Sequence, residues 1–151
     1  MDTLFSNVTI VTMDEAMHVY FDAYLGVTDG KISYLAREAP KEKTKRLVPG
    51  EGMVLMPGLI NTHCHAAMTL QRSYADDIAL MEWLHDYIWP FEARQTPTEI
   101  ALGAELGVVE MLLGGTTSFV DMYYHENRCV EVAERLGIAD GDEVVLSNTM
   151  A

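Results

Sequence analysis

The sequence predicts an α/β fold: a β-rich N-terminal segment over residues 1–55, followed by strand–helix units of a parallel sheet over 56–151. Three observations predict it. Runs rich in β-branched residues flank an Asp-Gly turn in the first fifty residues. A short, unbroken apolar run then opens directly into a polar cluster at Asn61-Thr62-His63-Cys64-His65. Beyond it, helical patterns alternate with short strands, the rhythm of βαβ units.

Each element follows from its residues. Asn7 to Thr12 and Tyr20 to Val27 read as strands, and Asp29-Gly30 joins the second to a returning strand at Ile32 to Leu35, since both turn residues tolerate positive φ. Arg37, Lys41, Lys43, Lys45 and Arg46, interspersed with Glu38 and Glu42, read as a solvated loop or sheet edge. After Pro49-Gly50-Glu51-Gly52, the runs Met53 to Met56 and Leu59-Ile60 suit a strand buried on both faces. Leu80, Leu84, Tyr87, Ile88 and Phe91 mark a helix interrupted by Pro90. Thr96-Pro97-Thr98-Glu99 opens a second helix as a capping box. That helix carries Leu102, Leu106, Val109 and Leu113 at helical spacing and stops at Gly114-Gly115. Thr116 to Val120 reads as a strand ending in Asp121, Glu126 to Leu136 as a helix closed by Gly137, and Val144 to Leu146 as a further strand.

Composition limits the function. The chain has 151 residues, 49 % of them apolar, which is ample for a packed core. Its net charge of −13 opposes a nucleic-acid partner or an anionic membrane. No apolar run approaches the roughly 20 residues that span a bilayer. The Met1-Asp2-Thr3-Leu4 start lacks the pattern of a signal peptide. Two cysteines, Cys64 and Cys129, make no disulfide framework. A soluble, cytoplasmic protein is expected. With no Gly-rich phosphate loop, Gly-X-Ser-X-Gly elbow or paired CxxC motif, phosphoryl transfer, serine hydrolysis and a zinc ribbon lack their usual marks.

The chemistry concentrates at His63 and His65. Side chains at i and i+2 of a strand share a face, with Cα atoms roughly 6.6 Å apart. Two imidazoles at that separation can converge on one zinc ion, while Cys64 between them faces the other way. The same spacing also fits two polar residues on an exposed strand. Position argues for the metal, because active sites of α/β folds collect at the carboxyl ends of parallel strands.

The stretch Pro57-Gly58-Leu59-Ile60-Asn61-Thr62-His63-Cys64-His65-Ala66-Ala67-Met68-Thr69-Leu70 resembles the first metal-binding strand of the amidohydrolase superfamily. The likeness continues through Arg72, Tyr74-Ala75-Asp76-Asp77, Leu80 to Leu84, Ile88-Trp89-Pro90, Gly114-Gly115-Thr116-Thr117 and Phe119 to Tyr123. Within that superfamily the chain is most similar to the 5'-methylthioadenosine/S-adenosylhomocysteine deaminases and related chlorohydrolases. The resemblance implies a β-sandwich segment over 1–55 and the first units of a (β/α)₈ TIM-type barrel over 56–151. It also implies one divalent metal, Zn²⁺, held first by His63 and His65, and a nucleoside substrate contacted by Glu92. Ionised, such a carboxylate accepts from paired ribose hydroxyls. Glu92 also fits an ordinary helix-surface acid, and Trp83 fits either the pocket mouth or the core.

Two departures stand out. Where such proteins carry an arginine after the third barrel strand, this chain reads Leu146-Ser147-Asn148-Thr149, after an acidic insertion at Asp140-Gly141-Asp142-Glu143. Asn148 in that position offers substrate an amide instead of a cation. A full barrel takes roughly 250 residues, whereas the stretch from Met56 suffices for about three units of roughly 30 residues each. The resemblance therefore implies an N-terminal third, with the remaining metal ligands and the catalytic glutamate outside this chain. A guanine-type deaminase, a chlorohydrolase, and a truncated chain without activity that associates through its open sheet, as a homo-oligomer for example, are the alternatives. His125 fits either a pocket wall or a structural role, and Asp121 either a hydrogen-bonded support for the site or a loop cap. His18 and His85 read as surface or helix residues, and the ten methionines as adaptable core filling.

Overall fold

A computed structural model describes residues 1–138 and divides the chain into two compact units, Met1–Pro57 and Gly58–Ala151. The expected strand at Val144–Leu146, the acidic insertion and Asn148 lie outside the described residues.

The first unit is one five-stranded sheet: β1 (Thr3–Val11), β2 (Val19–Thr28), β3 (Lys31–Ala36), β4 (Arg46–Pro49) and β5 (Val54–Leu55). β1 alternates, burying Leu4, Ser6, Val8 and Ile10 on one face, and Val8 and Ile10 pack with Ala23 and Leu25 of β2. The expected hairpin forms: β2 and β3 pair antiparallel, and Asp29 and Gly30 turn the chain at φ 49° and 72°. β1 starts earlier than its β-branched core implies, because Thr3 to Ser6 already alternates. The basic stretch ends at the expected sheet edge: β4 begins at Arg46 and runs parallel to β1.

The second unit pairs β6 (Leu59–Cys64) in parallel with β7 (Thr116–Asp121). Between them run a 3₁₀ turn (Ala66–Gln71), α1 (Leu80–Glu82), a π-helical turn (Trp83–Ile88), α2 (Trp89–Glu92) and α3 (Pro97–Leu113); α4 (Glu126–Leu136) follows β7. Pro90 does not break the helical path as expected. The Trp89 amide reaches back five residues to Leu84, and this wider turn carries the chain through a residue with no amide hydrogen. The capping box at Thr96 is present, with Glu99 N–H donating to Thr96 Oγ1 at 3.3 Å and Thr96 N–H to Glu99 Oε2 at 2.7 Å.

Two expectations fail in this unit. β6 is not buried on both faces: with one strand partner among the described residues, it leaves Leu59 51 % and Ile60 68 % exposed. On α3, the spaced Leu102, Leu106, Val109 and Leu113 are exposed, and the buried residues are Ile100, Gly103, Ala104, Gly107 and Val108. Small residues win that face because the 3₁₀ turn lies against it. A Cβ at Gly103 would overlap the Ala67 carbonyl, and one at Gly107 would come within 2.9 Å of Ala66 O. Ala104 and Val108 join Ala66, Phe119, Cys129, Val132, Ala133 and Ile138 in the core.

Candidate metal centre and substrate pocket

β6 ends at Cys64, so His63 occupies the strand's last turn outward and His65 the first position beyond it. Their rings stand edge to face with centroids 5.1 Å apart. Backbone bonds hold this tip in place. The Asp121 carboxylate, at the end of β7 and 1 % exposed, accepts from the Ala66 amide at 3.1 and 3.2 Å and from the Met122 amide at 2.8 Å. Asp121 thus supports the site and ends its strand at once. His65 Nδ1 lies 2.6 Å from the Met122 carbonyl oxygen. A carbonyl only accepts, so Nδ1 carries the hydrogen and Nε2 keeps its lone pair. Among the described residues the His63 ring has no hydrogen-bond partner. Two adjacent imidazoles, one with its tautomer fixed for Nε2 ligation, suit a zinc ion at about 2.0–2.1 Å from each nitrogen. Cys64 faces the other way, as strand alternation predicts: its thiol donates to Val120 O at 3.3 Å, and burial, then Asp121 and Glu126, push its pKa up to about 12.

His65 also borders a cavity of ≈ 190 Å³ with Glu92, Tyr123, Trp83, Trp89 and Tyr124 on its walls. Trp83 is therefore a wall residue. Glu92, the last residue of α2, is half-buried; burial raises its pKa, while the Tyr123 hydroxyl and the His65 ring oppose that shift. Tyr123 is held by polar partners, accepting from Gln71 Nε2 at 2.9 Å and donating to Gln95 Oε1 at 3.0 Å. Burial and the neighbouring Glu92 push the phenol above its ordinary range. The structure thus brings His63, His65 and Glu92 to one end of the β6–β7 sheet. His125 caps α4 in the left-handed region (φ 54°) and lines an adjoining cleft with Glu92 and Tyr124, not the cavity itself. His18 pairs with exposed Asp14 at 2.6 Å, and His85 packs on Trp89.

Sequence reasoning did not pick out Gln71, Gln95 or the Tyr123 hydroxyl. They are 24 and 28 residues apart along the chain, and no short spacing marks them.

The amidohydrolase family model matches residues 54–145, most of the chain, and the chain belongs to that family. It is 41 % identical to a 5-methylthioadenosine/S-adenosylhomocysteine deaminase of Syntrophomonas wolfei over 99 % of its own length and 34 % of the relative's. It is 40 % identical to a 5'-deoxyadenosine deaminase of Methanosarcina mazei, covering 91 % of this chain and 32 % of that protein. Among solved structures, an adenosine deaminase from Xanthomonas campestris with bound zinc superposes with a TM-score of 0.83 at 33 % identity, covering 91 % of this chain and 32 % of that one. Atrazine chlorohydrolase from Arthrobacter aurescens, complexed with zinc, gives 0.82 at 24 % identity over 90 % of this chain and 34 % of that one, a likeness of fold alone. The chain spans about a third of the length of the curated relatives it matches. Its mixed α/β architecture is TIM-barrel-related. Among the described residues no helix is long and apolar enough to cross a membrane.

Proposed function

We propose that this chain supplies the first metal-ligand pair and one wall of the substrate pocket of a metal-dependent hydrolase that deaminates 5'-methylthioadenosine/S-adenosylhomocysteine-type nucleosides. In this proposal residues 1–55 belong to a β-sandwich and residues 56–151 to the first units of a (β/α)₈ barrel. The observation that carries it is the paired His63 and His65 rings beside a cavity that also holds Glu92. The names of the deaminase relatives support the substrate class.

His63 and His65 would hold a zinc ion, which would supply Lewis-acid chemistry that activates water at neutral pH. The Met122 carbonyl fixes the His65 tautomer and aims Nε2. Glu92, half-buried beside Tyr123 and His65, accepts from the ribose hydroxyls in its ionised form. Trp83, Trp89 and Tyr124 offer flat apolar surface to the purine and exclude water around the reacting carbon. Asn148, in the position where such relatives carry an arginine, would offer the substrate an amide instead of a cation.

A chimera tests this: these residues replace the matching third of the Syntrophomonas wolfei relative, and ammonia release is followed. Turnover of 5'-methylthioadenosine is expected. Glu92→Ala raises KM about 10- to 100-fold, the loss of hydrogen bonds to a charged acceptor, and changes kcat far less. Turnover of a triazine or of guanine, with none of an adenosine analogue, contradicts the assignment.

A further inference from the structure

A second set of donors lies beneath the tip of β6, on the core side. Asp121, Glu126 and Cys129 are 1 %, 5 % and 3 % exposed, and one ligand atom from each lies within 4.8 Å of the others. Cys64, turned inward by strand alternation, packs against the core cluster that contains Cys129. The Asp121 carboxylate is engaged by the Ala66 and Met122 amides and by the Cys129 thiol at 3.2 Å. Glu126 is the anomaly. Both of its carboxyl oxygens are buried and neither meets a partner at full hydrogen-bonding distance, although the Tyr123 amide faces the group. None of the ion pairs among the described residues reaches either carboxylate. A buried carboxyl with no cationic partner beside a second carboxylate requires a proton or a cation.

We propose that Asp121, Glu126 and Cys129 form a binding site for a zinc-class divalent cation, separate from the His63–His65 pair. A thiolate with carboxylates selects a borderline ion over magnesium or calcium, which favour all-oxygen shells. Three protein donors leave one position of a tetrahedron open, and Cys64 packs against the same cluster. The ion displaces the proton of the Cys129 thiol and any proton on Glu126, so uptake strengthens as pH rises. It ties the end of β7 to the first two turns of α4 and, through Asp121, to the amide that follows His65. This site would be structural, and its residues are distinct from the ligands of the proposed reaction.

Cobalt(II) titration of the reduced chain tests it, because thiolate-to-cobalt charge transfer absorbs in the near ultraviolet and imidazole ligation does not. The band is expected in the parent chain and in the His63→Ala/His65→Ala double variant, and it is lost in Cys129→Ser. Glu126→Gln, which removes no hydrogen bond, keeps the fold by circular dichroism and weakens uptake at least about 10-fold. Cobalt uptake with no sulfur band in the parent chain overturns the site. So does a band that neither Glu126→Gln nor Cys129→Ser alters. Either result leaves Glu126 as a buried, protonated acid.

Discussion

At Asp121 a single carboxylate satisfies two backbone amides on either side of the proposed centre. Asp121→Ala removes the acceptor of the buried Ala66 amide and of the part-buried Met122 amide, which costs about 1–3 kcal/mol in urea unfolding of the metal-free chain. Asp121→Asn keeps one acceptor oxygen and costs less. Equal losses in the two variants would show that shape, not hydrogen bonding, is what matters there. Glu126 predicts a pH dependence. Burial first, then Asp121, push its carboxyl up to about 7, with the Tyr123 amide opposing weakly. The acid is thus protonated in the fold at pH values where the unfolded chain has released its proton. Its contribution is fully present below about 4.5 and is lost as pH rises through 7. With a chelator present, Glu126→Gln should gain stability relative to the parent between pH 5 and 8, by on the order of 2 kcal/mol. A gain independent of pH would mean that Glu126 is not protonated on folding.

Among the elements, α3 was legible in its start and misleading in its face. The capping box at Thr96 needs only residues three apart, so it can be read locally. Thr96→Ala should cost about 1 kcal/mol in thermal or urea unfolding. The packing face of α3 depends on the 3₁₀ turn some thirty residues earlier, whose backbone leaves room for Gly103 and Gly107 but not for leucine. Gly107→Ala should therefore destabilise by about 1–3 kcal/mol, although alanine is the better helix former by about 1 kcal/mol. A stabilised variant would show that the turn does not press on the helix. Pro90 misled similarly, because a π-turn at Trp83–Ile88 carries the chain through the proline and leaves no compositional mark. The His-X-His tip was the most legible element. Period-two alternation alone placed the imidazoles apart from Cys64, and the structure keeps Cys64 on the core side. Alternation said nothing of the Met122 carbonyl, which joins the site from a separate strand end.

For the whole molecule, the failed expectation at β6 and the family comparison bear on one point. Leu59 and Ile60 read as interior because their apolar run suits a strand flanked on both sides, whereas among the described residues β6 pairs with β7 alone. The chain spans about a third of its relatives' length. Two imidazoles are half of a tetrahedral ligand set, so the 151-residue chain by itself should release no measurable ammonia from 5'-methylthioadenosine. Turnover by that chain would place a full active site within these residues. The central claim, that His63 and His65 clasp one ion, is tested most directly by anomalous scattering at the zinc edge from crystals grown with zinc. The account predicts a peak at about 2.0–2.1 Å from His65 Nε2 and from a nitrogen of His63, with Nδ1 of His65 still donating to Met122. Rings left in place with no peak between them, and His65 Nε2 bonded instead to a neighbouring carbonyl, would contradict it.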